Sequence, residues 1–179
     1  MNPVAPEQPE ATTGSAANGP LNTEARSLRE RLVEIRALTD EMPMLSDAQV
    51  LEAMHHVRFL VNYIAAHGRA EEHVVYPYIT TFMSGSDLEL AALRADHVRV
   101  EDLGRAIIEW TPAQNRAALH GLLAEFLAIS EAHFLVEGED CMRIVHGHVL
   151  NGTEQVLFEA IEIETFDRVV DDAPGLMAR

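Results

Sequence analysis

Three His-x-x-x-Glu pairs limit what this chain can fold into more than any other feature of its sequence. The pairs are His67 with Glu71, His97 with Glu101, and His133 with Glu137. On an α-helix, residues four positions apart lie on the same face, about one turn from each other. Each pair can therefore present an imidazole and a carboxylate to one point in space if its segment is helical.

The apolar residues around each pair repeat with the period of an α-helix. At about 100° per residue, each pair falls within an arc of about 80° that otherwise holds core-type side chains. The arcs contain Leu60, Ile64, Val75, Tyr78 and Phe82 for the first pair, Leu90, Leu93, Gly104 and Ile108 for the second, and Leu122, Phe126, Ile129 and Ile144 for the third. We therefore expect all three pairs to face the core.

Buried carboxylates in these positions need a positive partner. Burying one costs several kcal/mol unless it is paired or bound to a cation, and the three arcs contain no Lys or Arg. Imidazole together with carboxylate suits iron, manganese or zinc. The sequence thus predicts a two-metal site, in which a helix gives its His to one ion and its Glu as a bridge to the other. The alternative is a set of buried His–Glu ion pairs without metal.

Turn signals divide the periodic part of the sequence into five predicted helices. These are Thr23–Glu41, Asp47–Met83, Asp87–Trp110, Pro112–Val149 and Thr153–Val170. Ser46 or Asp47 is expected to cap the second helix, and Pro112 to open the fourth. Because short turns between long helices make antiparallel neighbours, the predicted fold is all-α. It is an up-down-up-down four-helix bundle over residues 21–150, with a disordered tail over 1–20 and a C-terminal helix and tail over 151–179.

Charge and cysteine content narrow the class of partner and the compartment. The chain has 13 Lys and Arg against 29 Asp and Glu, a formal net charge of −16. Such a field repels phosphate backbones and anionic lipids, so we expect neither nucleic acid nor membrane as a partner. No stretch approaches the roughly 18 apolar residues of a membrane span. The single cysteine cannot form an internal disulfide, and residues 1–20 lack the features of a signal peptide. We expect a cytoplasmic protein, and its oligomeric state stays open.

At the residues of the three pairs, the sequence resembles the hemerythrin-like, or HHE cation-binding, family. His67-Gly-Arg-Ala-Glu71-Glu72 with Val75-Tyr76-Pro77 is similar to the helix-B segment of that family, Asp96-His97-Val98-Arg99-Val100 to its helix-C motif, and His133-Phe134-Leu135-Val136-Glu137 to its helix-D motif. The resemblance covers about residues 22–148. It implies a site that holds two iron ions, with manganese or zinc as alternatives, and that meets small molecules such as O2, peroxide or NO.

Two departures from the family pattern bear on the expected chemistry. Members of the family carry a His on helix A. The corresponding first predicted helix of this chain, Thr23–Glu41, contains no His, so Glu24 is the candidate ligand there, with a surface position as the alternative. Glu101 stands where oxygen-carrying members have a second helix-C His. Replacing imidazole by carboxylate makes the ligand shell harder and more anionic, which stabilises the oxidised metal. We therefore expect oxidoreductase-type chemistry at a di-iron site. The alternatives are a protein that senses, carries or stores O2, NO or iron, and a structural bundle with zinc or no metal.

Tyr78 is the candidate catalytic residue outside the ligand set. It lies about two turns beyond Glu71 on the same stripe, where its phenol can hydrogen-bond to a ligand or relay an electron. The alternative is an ordinary core tyrosine. Glu72 points about 100° away from Glu71, so we expect it to be solvated or to lie just outside the ligands.

Overall fold

The computed structural model describes residues 20–82, 87–137 and 153–172, and these residues form helices with no strand among them. The helices are α1 (Pro20–Glu41), α2 (Asp47–Phe82), α3 (Asp87–Glu109), α4 (Arg116–Val136) and α5 (Thr153–Asp172), with a 3-10 turn at Met42–Met44 between α1 and α2. The all-α prediction is confirmed. The predicted tail before residue 20 and the predicted continuation of helix D beyond residue 137 lie outside the described residues.

The helices pack around one main core. Helix α1 packs against α4, α4 against α3, and α3 against α2, while α5 covers α2. The main apolar cluster draws on α1 to α4, and its most buried members include Leu32, Ile35, Met54, Val61, Ile107, Leu119, Leu123 and Phe126. A smaller cluster joins the second half of α2 to the start of α3 and to α5; it contains Ala70, Val75, Tyr76, Ile79, Leu90, Leu93, Leu157 and Ile161. The second half of α2 is therefore covered by two sets of neighbours.

The turn between α1 and α2 is fixed by a reciprocal cap and by an arginine from α4. Ser46 N–H donates to Gln49 Oε1 at 2.9 Å, and Gln49 N–H donates to Ser46 Oγ at 3.4 Å. Of the two predicted caps, Ser46 thus performs this role, in the arrangement called a capping box. Arg116 donates to the carbonyl oxygen of Leu45 at 2.6 Å and forms an ion pair with Asp47. These contacts attach the start of α4 to the start of α2.

Helix α4 begins later than the sequence predicted. Asn115 is its N-cap, and the Asn115 side chain accepts a hydrogen bond from Ala117 N–H at 2.8 Å. Pro112 lies in the preceding turn and does not occupy the first helical position. Asparagine is among the strongest N-cap residues, and it overrides the signal from proline.

Helix α4 is also the one described helix that is long and apolar enough, by length and composition, to cross a membrane. The count of apolar residues in the sequence missed this property. Only 39% of the apolar window is buried inside the structure, but its inner face carries Leu119, Leu123, Phe126 and Phe134 into the core. The same composition therefore also suits the core helix of a helical bundle.

Candidate metal centre

Side chains from three helices meet at a buried cluster of imidazoles and carboxylates. Its members are His67 and Glu71 from α2, His97 from α3, His133 from α4, and Glu137 at the C-terminal cap of α4. Each of these residues is between 3% and 5% exposed. The predicted helical stripes therefore place two complete His-x-x-x-Glu pairs and one further His inside the bundle.

The cluster consists of two overlapping trios of potential ligand atoms, and Glu71 belongs to both. Glu71, His97 and His133 form one trio, and His67, Glu71 and Glu137 form the other. Within each trio, the ligand atoms all lie within 4.8 Å of one another. A carboxylate that is shared in this way can place one oxygen on each of two cations.

The distances within the cluster show that nitrogen and oxygen lone pairs converge. His67 Nε2 lies 2.9 Å from Glu71 Oε1, and His97 Nε2 lies 3.5 Å from Glu71 Oε2. His97 Nε2 and His133 Nε2 are 3.0 Å apart, and His133 Nε2 is 3.7 Å from Glu137 Oε2. Glu71 Oε2 is buried without a hydrogen-bond partner among the described residues. An orphaned carboxylate oxygen beside two imidazole nitrogens is an arrangement that a bound cation would satisfy.

The ionisation of the carboxyls also favours a cation. Burial raises the pKa of Glu71, but the charge of His67 and hydrogen bonds from its neighbours outweigh burial and bring the pKa well below its ordinary value. Glu137 is among the neighbours that lower this pKa. Two buried carboxylates side by side repel each other unless one of them is protonated or a cation lies between them. The cluster therefore binds a positive group more readily than a set of separate ion pairs would.

The pKa values of His97 and His133 are shifted in opposite directions, so the two rings differ in whether they must lose a proton before they bind a cation. Burial lowers the pKa of His133 to about 4 despite the opposing charge of Glu71, so this ring is neutral near pH 7 and keeps a lone pair for a metal. Burial also lowers the pKa of His97, but hydrogen bonds and charges from Glu71 and Glu72 more than compensate and raise it. His97 must therefore release a proton when it takes up a metal.

An acidic side chain outside the cluster orients one of the rings. Glu72 Oε1 lies 2.8 Å from His97 Nδ1, whereas Asp96 Oδ2 lies 3.7 Å from His133 Nδ1 and forms no hydrogen bond with it. Because an ionised carboxylate can only accept, Nδ1 of His97 donates, and the neutral form of the ring then offers Nε2 toward the cluster. Such partners fix the tautomer and the orientation of metal-binding histidines.

A tyrosine and a glycine hold His97 in place. The ring of Tyr76 is stacked on that of His97, with centroids 5.7 Å apart and an angle of 11° between the planes. The Tyr76 hydroxyl lies 3.5 Å from His97 Nε2. On the α2 side, a Cβ atom at Gly68 would lie only 2.8 Å from His97 Cδ2. The imidazole therefore packs directly against the backbone of α2, and this is possible because residue 68 has no side chain.

The structure does not bring every predicted site residue to the cluster. Glu101 lies on the outer side of α3, where its side chain is 27% exposed and forms an ion pair with Arg69 at 3.3 Å. Tyr78 is half-buried and packs against the smaller apolar cluster. Glu24 belongs to α1, but its side chain lies outside the described part of the chain. As ligands or catalytic groups, these three residues stay predictions.

Sequence reasoning missed three residues around the cluster: Gly68, Tyr76 and Ser130. Glu72 was expected to be solvated or to lie just outside the ligands, and its contact with His97 agrees with the second alternative. The aromatic-Pro sequence after Glu71 was a usable signal for Tyr76, and the position of Ser130 three residues before His133 was a usable signal for that hydroxyl. No sequence pattern marks Gly68, because the need for it arises only where α3 meets α2.

The donor set and its burial define a class of protein, a helical bundle with an internal cation site. The sequence matches the hemerythrin HHE cation-binding domain over residues 21–145, which is more than two thirds of the chain. The chain belongs to this family, whose domains bind metal cations, usually iron, and bind small ligands such as O2 through that metal. A search of curated proteins found no match, and neither did a search of solved structures.

Proposed function

We propose that this protein holds two iron ions and carries out oxidoreductase-type chemistry with O2, peroxide or a nitrogen oxide. The observation that carries the proposal is the position of Glu71, which belongs to both trios of potential ligand atoms. Imidazole and carboxylate donors are compatible with iron, and also with manganese and zinc. Iron is favoured because domains of this family usually bind iron.

The residues of the chain have separate roles in this proposal. Glu71 would bridge the two positions, His97 and His133 would hold one of them, and His67 and Glu137 would hold the other. Two ferrous ions bound there would supply the electrons for reduction of a small oxygen or nitrogen species. The surrounding apolar residues exclude bulk water, and this strengthens every charge interaction within the site.

Two observations favour reaction over simple carriage. Carboxylates provide two of the five buried side chains of the cluster even when Glu101 is left out, and a carboxylate-rich shell stabilises the oxidised metal. In addition, the Tyr76 hydroxyl lies 3.5 Å from His97 Nε2, where a phenol can donate a proton.

The second candidate function is reversible binding or sensing of O2 or NO. It is favoured by the small size of the cavity beside the cluster, about 10 Å³, which is close to the space for one water molecule.

The proposal also extends to the fold around the site. The turns after α1 and after α3 are short, which supports an up-down-up-down order of α1 to α4 within residues 21–150. For the compartment we propose the cytoplasm, where a single unpaired thiol stays reduced.

The first experiment measures metal content after loading with ferrous iron. We expect about two iron ions per chain in the wild type and at most one in Glu71→Gln, because the amide has lost the charge that both positions share. Glu131→Gln is the matched control, since it makes the same chemical change at an exposed ion pair with Arg36, outside the cluster. Equal iron loss in both variants, or no iron in the wild type, would contradict the proposal.

The second experiment separates reaction from carriage. The ferrous protein is mixed with O2 or peroxide, and the oxidation of the iron is followed optically. Irreversible oxidation of the ferrous ions, with reduction of the oxidant by the two electrons that they release, supports the oxidoreductase. Oxygen that is taken up and then returned when the oxygen pressure is lowered supports the binding protein instead.

A further inference from the structure

The hydroxyl of Ser130 is a buried polar group to which the site described so far gives no role. Ser130 is 1% exposed, and its Oγ has no hydrogen-bond partner among the described residues. A serine within a helix can usually bond to a carbonyl of the preceding turn. Leaving a buried hydroxyl without a partner costs about 1–3 kcal/mol, so its retention in the core of α4 needs an explanation.

Ser130 lies on the wall of the cavity beside the metal centre. The residues that line this cavity are Ile64, His67, Gly68, His97, Val100, Ser130, His133 and Phe134. The space is about 10 Å³, close to the minimum that holds a water-sized molecule. A hydroxyl and the ring atoms of three candidate metal ligands thus face the same small space.

A water molecule alone is a poor occupant for this cavity. Buried waters typically make two to four hydrogen bonds, whereas the walls other than Ser130 and the histidines are apolar carbon. His97 Nε2 and His133 Nε2 lie 3.0 Å apart, and both residues belong to one trio of potential metal ligands. A small ligand that is anchored at the metal needs only one further hydrogen bond, and Ser130 can donate it.

We propose that the Ser130 hydroxyl donates a hydrogen bond to the outer atom of a metal-anchored diatomic or peroxide ligand, and that this one atom occupies the cavity. The inference rests on the proposed function, because it requires a metal-anchored ligand, and it adds the residue that recognises an acceptor atom of that ligand. Ser130 thereby favours ligands with an exposed oxygen over apolar molecules of the same size.

The test uses nitric oxide as a diatomic probe on the iron-loaded ferrous protein. We expect Ser130→Ala to increase the rate of nitric oxide dissociation about five- to tenfold, the change that follows from losing one neutral hydrogen bond. The infrared N–O stretch of the wild type should also shift between H2O and D2O, and this shift should disappear in Ser130→Ala. A serine that only fills space in the core would change neither measurement.

Thr165 in α5 provides a matched control. It is fully buried, and its Oγ1 also lacks a hydrogen-bond partner among the described residues, but it is not among the residues that line the cavity. Thr165→Val removes the same kind of hydroxyl and should leave nitric oxide dissociation unchanged. In the metal-free protein, both variants should unfold at or above the wild-type temperature, since each loses an unsatisfied hydroxyl.

Each outcome decides something. If Ser130→Ala releases nitric oxide at the wild-type rate with the same solvent shift, the Ser130 inference is overturned while the metal centre stands. If the alanine variant does not fold, Ser130→Cys retains the volume with a weaker donor, and an unchanged rate in that variant overturns the inference as well. If the wild type takes up no iron, the proposed function fails and the inference falls with it.

Discussion

Gly68 offers a sharp test of how the centre is assembled. A Cβ atom at this position would lie 2.8 Å from His97 Cδ2 and 3.1 Å from His97 Nε2, whereas ordinary contacts begin near 3.4 Å. The imidazole in Gly68→Ala would have to move by about 0.6 Å. It has little freedom to do so, because Glu72 holds its Nδ1 at 2.8 Å, Tyr76 is stacked on it, and His133 lies 3.0 Å from its Nε2.

The magnitude follows from two opposing effects. Replacing glycine by alanine inside a helix stabilises it by about 1 kcal/mol, and overpacking of a filled core costs about 1–3 kcal/mol. Gly68→Ala should therefore lower the free energy of unfolding by about 1 kcal/mol. Gly121→Ala is the matched control, because nothing lies within 4 Å of a Cβ at this exposed position in α4, and it should raise the free energy of unfolding by up to about 1 kcal/mol.

The displacement of His97 should also weaken the site itself. We expect the metal affinity of Gly68→Ala to fall about tenfold or more, since a misplaced ligand loses both distance and direction. Urea unfolding of both metal-free variants measures the stability difference, and competition with a chelator measures the affinity. The reasoning is refuted if Gly68→Ala is as stable as Gly121→Ala and binds metal as tightly as the wild type.

Three further predictions concern the groups around the cluster. Glu72→Gln should lower metal affinity about tenfold, because it removes the charge that orients His97; unchanged affinity in a chelator competition would mean that the contact is incidental. Tyr76→Phe should slow the reaction with peroxide about tenfold or more at unchanged iron content, and Tyr78→Phe should not; the opposite order would favour the tyrosine that the sequence indicated. In the metal-free protein, His133 stays neutral down to a pKa of about 4 whereas its ordinary value is 6.5, so the unfolded chain binds more protons between these values. Stability should therefore fall as the pH is lowered from 6.5 to 4, by about 3 kcal/mol at most, and urea unfolding across this range should show a smaller loss for His133→Asn.

Much of the fold and the centre of the site could be predicted from periodicity. The apolar stripes placed the helices within a few residues of their observed bounds, apart from the predicted end of the fourth helix at Val149, which lies outside the described residues. They also correctly placed His67, Glu71, His133 and Glu137 in the interior. These residues were accessible to sequence reasoning because a 3.6-residue period reports directly which face of a helix is buried.

Glu101 shows that periodicity does not fix the direction of a buried stripe accurately enough to place every residue at its edge. Beyond His97, the buried residues of α3 are Val100, Leu103, Gly104 and Ile107, so the core-facing stripe runs beside residue 101 rather than through it. An error of about 40° in the assumed direction of the stripe is enough to move a carboxylate from the core to its edge. Arg69 then stabilises Glu101 there through an ion pair. No sequence pattern predicts an ion pair between two different helices.

Because α5 packs against α2, the surroundings of the buried centre are completed only after α5 has been synthesised. Ala70 and Tyr76, which flank Glu71 along the chain, pack in the same cluster as Leu157 and Ile161. All five residues of the buried centre precede α5 in the sequence, so they leave the ribosome before the helix that completes their surroundings. Until α5 arrives, this half of α2 remains solvated and its ligands lack a dry environment. Metal loading is thus expected to be a late step, after α5 has packed against α2.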